Sequence, residues 1–432
     1  MTIPLDRTAV GGTAPDVRIV HLGLGAFHRS HQAWYTAKAG DGWGIAAYTG
    51  RRPDAAHLLA AQDGVYTLVE RGAGSDRCEP IGSIVRAVPG DDVEDFAAAV
   101  ADPAVAVLTM TITEAGHRLT PQGEPDFDDP ETAADLRMLR DATGLPRTAL
   151  GRVLYGLDRR RRAGAPPVAV VPCDNLPGNG ETVRRALTGL AEAALPELAA
   201  ALPALASFVS TSVDRITPRT AKADLDLVRR ATGRSDRTPV VAEPFSDWVL
   251  SGEFPSGRPA WERAGARFSA DIAPWEARKL WLLNGAHSLL AASGTLRGHA
   301  TVAEAVADPV CRNQVEALWD EAVRHLPDLG LREYRGALLE RFANPRIEHR
   351  LAQIAEDAET KLRMRIAPVA RLERRAGRTA AACATALAAW SRATGGWLDD
   401  LAPDLAADPV FRTAYADAAE TLTRPTTQES HR

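Results

Sequence analysis

Residues 17–28 read Val17-Arg-Ile-Val-His-Leu-Gly23-Leu-Gly25-Ala26-Phe27-His28, an apolar, β-branched run that ends in a Gly-x-Gly turn. The next residues, Arg29-Ser-His-Gln-Ala-Trp-Tyr-Thr-Ala-Lys-Ala-Gly40, have helical character. Strand, glycine turn and helix in that order open a βαβ unit. Two glycines let the backbone approach a pyrophosphate, and the helix start offers free N–H groups and the positive end of a dipole. The third glycine of the usual pattern is missing, and His28 stands in its place. A Gly-x-Gly signals dinucleotide binding when a strand precedes it and a helix follows. Gly23, Gly25, Ala26, Phe27 and His28 are therefore the candidate cofactor-binding residues.

Working outward, further apolar runs at Trp43–Tyr48, Val65–Glu70, Val105–Ile112, Val168–Pro172, Phe208–Ser212 and Pro239–Ala242 are bounded by Gly, Pro and Asp. Such runs suit strands of a buried parallel sheet. Between them lie Ala-, Leu- and Arg-rich stretches of helical period, such as Glu181–Leu195. The fold class this predicts is α/β, an N-terminal doubly wound sheet. From about Ala273 the strand signals fade, and helical sequence broken at Pro309, Pro327, Pro345 and Pro403 continues towards the end. The expected division is a dinucleotide-binding domain over 1–270, a mostly α-helical domain over 271–425 and a frayed tail over 426–432. Arg159–Arg162, four arginines before Ala-Gly-Ala-Pro-Pro, are expected to form a solvated face.

The composition excludes several classes. The 432 residues carry 51 basic and 56 acidic side chains, a net charge of −5, so no basic footprint for nucleic acid is present. No apolar run approaches the roughly 20 residues of a membrane span, and with no basic region and apolar core after Met1-Thr-Ile-Pro-Leu-Asp-Arg, no signal peptide is expected. Cys78, Cys173, Cys311 and Cys383 form no Cys-x-x-Cys pair, and no Cys/His spacing suggests zinc, so no metal is expected. A cytoplasmic location is the expectation.

The basic residues are themselves uneven: four lysines, Lys38, Lys222, Lys279 and Lys361, stand beside 47 arginines. Arginine stays protonated at working pH, whereas a desolvated lysine can lose its proton. Lysine in such a background is a candidate for proton chemistry, although chance retention explains any single one equally well. Lys279 lies in Pro274-Trp-Glu276-Ala-Arg-Lys279-Leu-Trp-Leu-Leu-Asn284-Gly-Ala-His287-Ser288, which reads as one helix. At about 100° per residue, Glu276, Lys279, Asn284 and His287 share an arc of roughly 140°. Leu280 and Leu283 fall inside that arc, which predicts an enclosed polar face rather than a solvated stripe.

Other polar clusters follow strands, where open α/β sheets bind ligands. They are Cys173-Asp174-Asn175, Ser212-Val-Asp214-Arg215 and Glu243-Pro-Phe-Ser-Asp247-Trp248. Each alone is commonly a turn or a helix cap. After Trp43–Tyr48 come Arg51, Arg52 and Asp54. The aspartate suits the ribose 2′-hydroxyl of NAD and the arginines the 2′-phosphate of NADP. Alcohol oxidation with a nicotinamide needs a base and donors for the developing alkoxide. Lys279 meets the first need, and Asn175 and Asn284 meet the second. No lysine stands four residues after a tyrosine, so the Tyr-x-x-x-Lys solution is absent.

In this order, IVHLGLGAFHRSHQAWYT, VVPCDNLPGNG, SVDRITP, EPFSDWV and KLWLLNGAHS resemble the polyol-specific long-chain dehydrogenases, from Ile19 to about Pro368. That family holds mannitol 2-dehydrogenases, fructuronate and tagaturonate reductases and arabinitol dehydrogenases. The resemblance implies a Rossmann domain followed by a helical domain, NAD as coenzyme with NADP as the alternative, and no metal. Lys279 matches the family's general base, Asn175 and Asn284 its oxyanion hole, and His287 and Asp214 its substrate-binding positions. Glu276 matches a carboxylate on the proton route to solvent, Asp54 the acidic coenzyme selector, and Lys361 a basic residue near the substrate. The substrate implied is a small sugar acid or polyol. EPFSDWV and NGAHS look more like fructuronate reductases (D-mannonate oxidoreductases) than mannitol 2-dehydrogenases, which are the alternative. A non-catalytic NAD(H)-binding sensor is the competing class. Members are expected as monomers or small homo-oligomers. One departure stands out: many relatives read Glu-Lys-Gly-Tyr where this chain reads Glu114-Ala115-Gly116-His117.

Overall fold

The computed structural model describes residues 3–423, so the expected frayed tail lies outside the described residues. The chain divides into two compact units, Met1–Ile272 and Ala273–Arg432. No helix among the described residues is long and apolar enough to cross a membrane.

In the first unit, six strands form one sheet: β1 (Asp16–Leu22), β2 (Trp43–Tyr48), β3 (Ile84–Val88), β4 (Val107–Met110), β5 (Val168–Pro172) and β6 (Ala206–Phe208). Their order is β3-β2-β1-β4-β5-β6, with every neighbouring pair parallel. The two-residue period of the strands explains why the runs are continuously apolar, since both faces are buried. Val20 and Leu22, Leu108 and Met110, and Val168 and Val170 face one core. Phe96, Val100, Leu154 and Leu187 complete it from the helices Val93–Ala101, Ala149–Arg162 and Asn179–Ala194. One residue out of step, Ile19, Val107, Ala169 and Val171 face the other core, with Tyr35, Trp248 and Trp261. The strand order reverses between β1 and β4, which puts the ligand crevice of such sheets at the carboxyl ends of these strands.

Three strand expectations change. Val65–Glu70 and Pro239–Ala242 stay out of the main sheet: Val240–Ala242 runs parallel to Tyr66–Arg71, which pairs antiparallel with Asp76–Ile81. The run Phe208–Ser212 is split, because Ser210–Asp214 leaves the main sheet to pair antiparallel with Asp247–Ser251. Glycines allow the crossing, since a Cβ on Gly180 would lie 2.5 Å from the Ser210 amide nitrogen.

The arginine run is corrected as well. Arg160 is fully buried, and its guanidinium donates to the carbonyls of Val100 (2.6 Å), Pro166 (2.7 Å), Val105 (2.8 Å) and Asp102 (3.2 Å). Burial pushes its pKa down to about 10. Arg162, by contrast, is exposed and pairs with Asp158 at 2.7 Å.

The second unit is helical. At its centre, Gly285–Leu296 is buried along most of its length and packs on Val302–Ala307, Pro309–Val323, Leu351–Ala355 and Ala381–Thr394.

Replacing Arg160 with Leu leaves several buried carbonyls without a donor. Each orphaned group costs about 1–3 kcal/mol, so the urea midpoint should fall by the equivalent of at least ~3 kcal/mol. Arg162→Ala should stay within about 0.5 kcal/mol of the parent. Equal midpoints for the two variants would show that the carbonyl contacts do not stabilise the unit.

Candidate active site

The Gly-x-Gly turn is built around a position that admits no side chain. Gly23 has φ +111°, and a Cβ there would lie 2.2 Å from the carbonyl oxygen of Thr111. The Gly23 and Leu24 amides both donate to the carbonyl of Tyr48, at the end of β2, at 2.8 Å. Thr111, just beyond β4, donates its amide to Leu22 O (2.9 Å) and its hydroxyl to Gly23 O (2.7 Å). Gly25 is extended and precedes the helix Ala26–Ser30, whose first turn has no side-chain cap. The N–H groups of Ala26, Phe27 and His28 open that turn, so the loop fits a pyrophosphate.

The imidazole of His28 does not face that turn. It is fully buried and stacks on His21 of β1, ring centroids 3.4 Å apart and planes within 12°. The expectation for His28 as a cofactor contact is thereby limited to its backbone. The stack brings helix and strand together where a third glycine would otherwise do so. His21 Nε2 lies 3.1 Å from the Thr111 hydroxyl and Nδ1 lies 2.8 Å from that of Thr109. Since Thr111 gives its proton to Gly23, its oxygen accepts from His21 Nε2–H, and Nδ1 accepts from Thr109. Burial pushes His21 down to about 3 and His28 well below the ordinary range, so both rings are neutral. Asp54 is exposed and opens the helix Asp54–Ala60, with Arg51 and Arg52 also exposed just before it.

Asn175 is exposed in the turn after β5, and the preceding Asp174 is buried and bonded to His117. Asn179, four residues further on, is a staple: fully buried, it reaches Pro172 O, Asp174 O and the Thr211 backbone. Asp214 is buried at the end of its strand, in register with Asp247. Arg215, beside it, is bound to Ser30 O (2.7 Å), Glu243 O (3.0 Å) and Glu70 Oε1 (2.7 Å). Trp248 of EPFSDWV is fully buried against Trp261, Tyr35 and His31. Most of these two motifs therefore holds the first unit together.

In the second unit the lysine segment is not one uniform helix. Ala273–Arg278 is α-helical, Lys279–Asn284 forms a π turn, and Gly285–Leu296 is α-helical again. The Gly285 amide reaches back five residues to Leu280 O. A turn closed on the fifth residue brings Lys279 and Asn284, five apart, onto the same side. The expected 140° arc was too wide because it assumed an α-helix throughout. Glu276, Lys279 and Asn284 are half-buried, while His287 is buried.

His287 packs against Phe342 (4.8 Å) and His349 (4.7 Å), and its Nε2 has no hydrogen-bond partner among the described residues. Burial, then the positive charges of Arg341 and Arg365, keep it neutral, and burial likewise lowers the pKa of His349. Arg365 donates to Ser288 Oγ at 3.0 Å and lies 3.4 Å from Asn284 O, with its pKa pushed down to about 10 by burial. Lys361, expected near the substrate, donates its ammonium to the carbonyls of Ile354 (3.1 Å) and Glu356, closing the end of the preceding helix. Arg365, one turn further along, is the basic group beside Asn284 and Ser288. As one of 47 arginines it carried no distinguishing signal in the sequence.

A glycine turn at the reversal point of a 3-2-1-4-5-6 sheet, with a lysine and an amide on one helical side, defines a nucleotide-dependent oxidoreductase. Family models for the mannitol dehydrogenase Rossmann domain and the mannitol dehydrogenase C-terminal domain match residues 17–263 and 271–427. The chain is 35% identical to D-mannonate oxidoreductase of Escherichia coli (strain K12) over 410 residues, 91% of this chain and 83% of that one. It is 34% identical to mannitol 2-dehydrogenase of Cereibacter sphaeroides, covering 92% and 85% of the two chains. The solved ternary complex of Pseudomonas fluorescens mannitol 2-dehydrogenase with NAD and D-mannitol superposes with a TM-score of 0.78, at 30% identity and 97% coverage of both chains. The chain belongs to the mannitol dehydrogenase family, and it is an oxidoreductase acting on the CH–OH group of polyols and related sugars.

The neutral histidines set a pH dependence. Their folded pKa lies below the unfolded value near 6.5, so their contribution is complete above pH 6.5 and is lost as the pH falls towards the folded value, about 3 for His21. Each such group steepens the loss by about 1.4 kcal/mol per pH unit. His28→Phe, which keeps a ring for the stack, should flatten stability against pH between 6.5 and 4 by about one group's worth, measured as urea midpoints. An unchanged slope would mean that His28 is protonated in the folded chain.

Proposed function

We propose that this protein is an NAD-dependent, metal-independent fructuronate reductase, interconverting D-fructuronate and D-mannonate with Lys279 as general base. The observation that carries the choice of an acid substrate is the charge around His287. Arg341 and Arg365 both bring positive charge to bear on it, and a planar guanidinium pairs with a carboxylate in two-point fashion. The resemblance of EPFSDWV and NGAHS to fructuronate reductases and the likeness to D-mannonate oxidoreductase support it. Mannitol 2-dehydrogenase is the second reading, favoured by the likeness to the mannitol enzymes.

On this reading the Gly23–Gly25 turn and the first-turn amides of Ala26–His28 hold the pyrophosphate, and Asp54 holds the adenosine ribose hydroxyls. Arg51 and Arg52 are what would serve NADP instead. Oxidation of the carbinol C–H needs a two-electron acceptor, which NAD supplies when bound. Lys279 in its amine form takes the hydroxyl proton. The side-chain amides of Asn175 and Asn284 donate to the oxygen as it gains negative charge. Glu276, three residues before Lys279, returns the proton to solvent. His287 and Asp214 bind substrate hydroxyls; the neutral imidazole can donate from one nitrogen and accept at the other.

NADH formation should be faster in kcat/KM with D-mannonate than with D-mannitol, and faster with NAD than with NADP. A win for mannitol sinks the carboxylate argument. No turnover with a wider polyol and uronate screen, alongside normal NADH binding, would favour the sensor.

Lys279→Ala should lower kcat by about 10²–10⁴-fold. Asn175→Ala and Asn284→Ala should each lower it on the order of 10²-fold with KM little changed. Full activity in Lys279→Ala would refute the lysine mechanism, and effects confined to KM would refute the oxyanion role.

A further inference from the structure

The turn that carries Asn175 is held from outside by a residue that nothing above employs. After β4 the chain forms the short 3-10 turn Glu114–His117, and after β5 it enters Cys173-Asp174-Asn175. His117 Nε2 donates to Asp174 Oδ2 at 2.7 Å, with side chains 0% and 3% exposed. The other carboxylate oxygen of Asp174 accepts the Leu176 amide (3.2 Å), and its backbone carbonyl accepts from Asn179 (3.2 Å). Two of these three ties lie within the turn and the helix that follows it. The third crosses from the neighbouring strand's loop, and it is the one that fixes the turn relative to β4. Asn175 follows directly on this buried carboxylate, so any shift of Asp174 moves the backbone that carries the Asn175 amide.

We infer that His117 is a positioning residue for Asn175, acting through the buried Asp174 carboxylate. This rests on the reading of Asn175 as an alkoxide donor. The carboxylate can accept only if its partner donates, so any donor of similar reach at position 117 will serve. An apolar residue there leaves a buried charge short of one hydrogen bond. Asp174 then turns towards another donor, and the amide one residue away shifts. A displacement near 1 Å at a reacting group can cost as much as 10²-fold in rate.

The test uses the full-length protein and the substrate it turns over best, with kcat expressed per NADH-binding site, so that a partly unfolded preparation does not mimic a catalytic defect. His117→Phe should lower kcat about 10-fold to 10²-fold, with NADH affinity and coenzyme KM within about twofold of the parent. His117→Gln and His117→Tyr, which can still donate to Asp174, should recover kcat to within a few-fold. His117→Ala makes the same test where the phenylalanine variant does not fold. Parental kcat in His117→Phe or His117→Ala, with Asn175→Ala impaired, overturns the positioning role and leaves the Asn175 reading intact. Parental kcat in Asn175→Ala overturns both. Failure of both donor variants to recover activity overturns the hydrogen-bond argument, since shape alone would then account for the loss.

Discussion

The carboxyl edge of the sheet depends on position 23 having no side chain. With φ at +111° and the carbonyl oxygen of Thr111 2.2 Å from where a Cβ would sit, any other residue must drive β1 and β4 apart. The contacts that meet there are mutually dependent. Tyr48 receives both turn amides, Thr111 bonds Leu22 and Gly23, and His21 steadies the two threonines from below. Three strand ends are thus locked in one node. From Thr111 the chain needs only six residues to reach His117, which carries the same rigidity across to Asp174. The geometry offered to a pyrophosphate follows from that one constraint, and the segment just beyond β4 ties it to the turn that carries Asn175.

A second principle of construction is the fork of arginine. Arg160 gathers four carbonyls, Arg7 reaches those of Gly82, Asp63 and Ile84, and Arg215 joins Ser30, Glu243 and Glu70. A planar guanidinium with five fixed donors can satisfy several converging acceptors, which an ammonium on a flexible stem does poorly. The abundance of arginine is therefore partly structural. It also tempers the inference from scarce lysine. Lys38 pairs with Glu79, and Lys361 closes a helix end, so scarcity alone did not mark a lysine as chemical. What distinguishes Lys279 is its company, an amide and an imidazole on the same helical segment.

Much of the first unit was legible because its cause is local. Trp43–Tyr48 and Val168–Pro172 form strands over the residues their patterns indicated, since a strand buried on both faces has to be apolar throughout. Sheet membership was not legible: Val65–Glu70 looks the same whether it joins the parallel sheet or a small mixed one, and that choice is made by distant partners. Ile84–Val88 was missed because, at the sheet edge, its Arg86 can face outward and break the apolar run. The residue types of the site were visible, and their geometry was not. A π turn leaves no residue signature, and its effect, shifting Asn284 towards Lys279, follows from one hydrogen bond reaching back five residues rather than four.

The electrostatics of the second unit complete this picture. His287 is a buried ring whose company is positive, and Arg365 is a cation far enough from water for its pKa to fall to about 10. Burying a cation is costly unless something of opposite sign or strong dipole receives it. Ser288 Oγ and Asn284 O are neutral acceptors, and a carboxylate would serve Arg365 better than either. Burial, reinforced by the same positive field, opposes a proton on His287, holding it as the neutral imidazole that can both donate and accept. On the reading proposed, one arrangement thus favours an anionic ligand and, together with burial, fixes the protonation state of the ring beside it. A neutral polyol would use the second property and gain little from the first, which is why the charge around His287 separates the two substrate readings more sharply than the roles proposed for Lys279, Asn175 and Asn284, which both readings use.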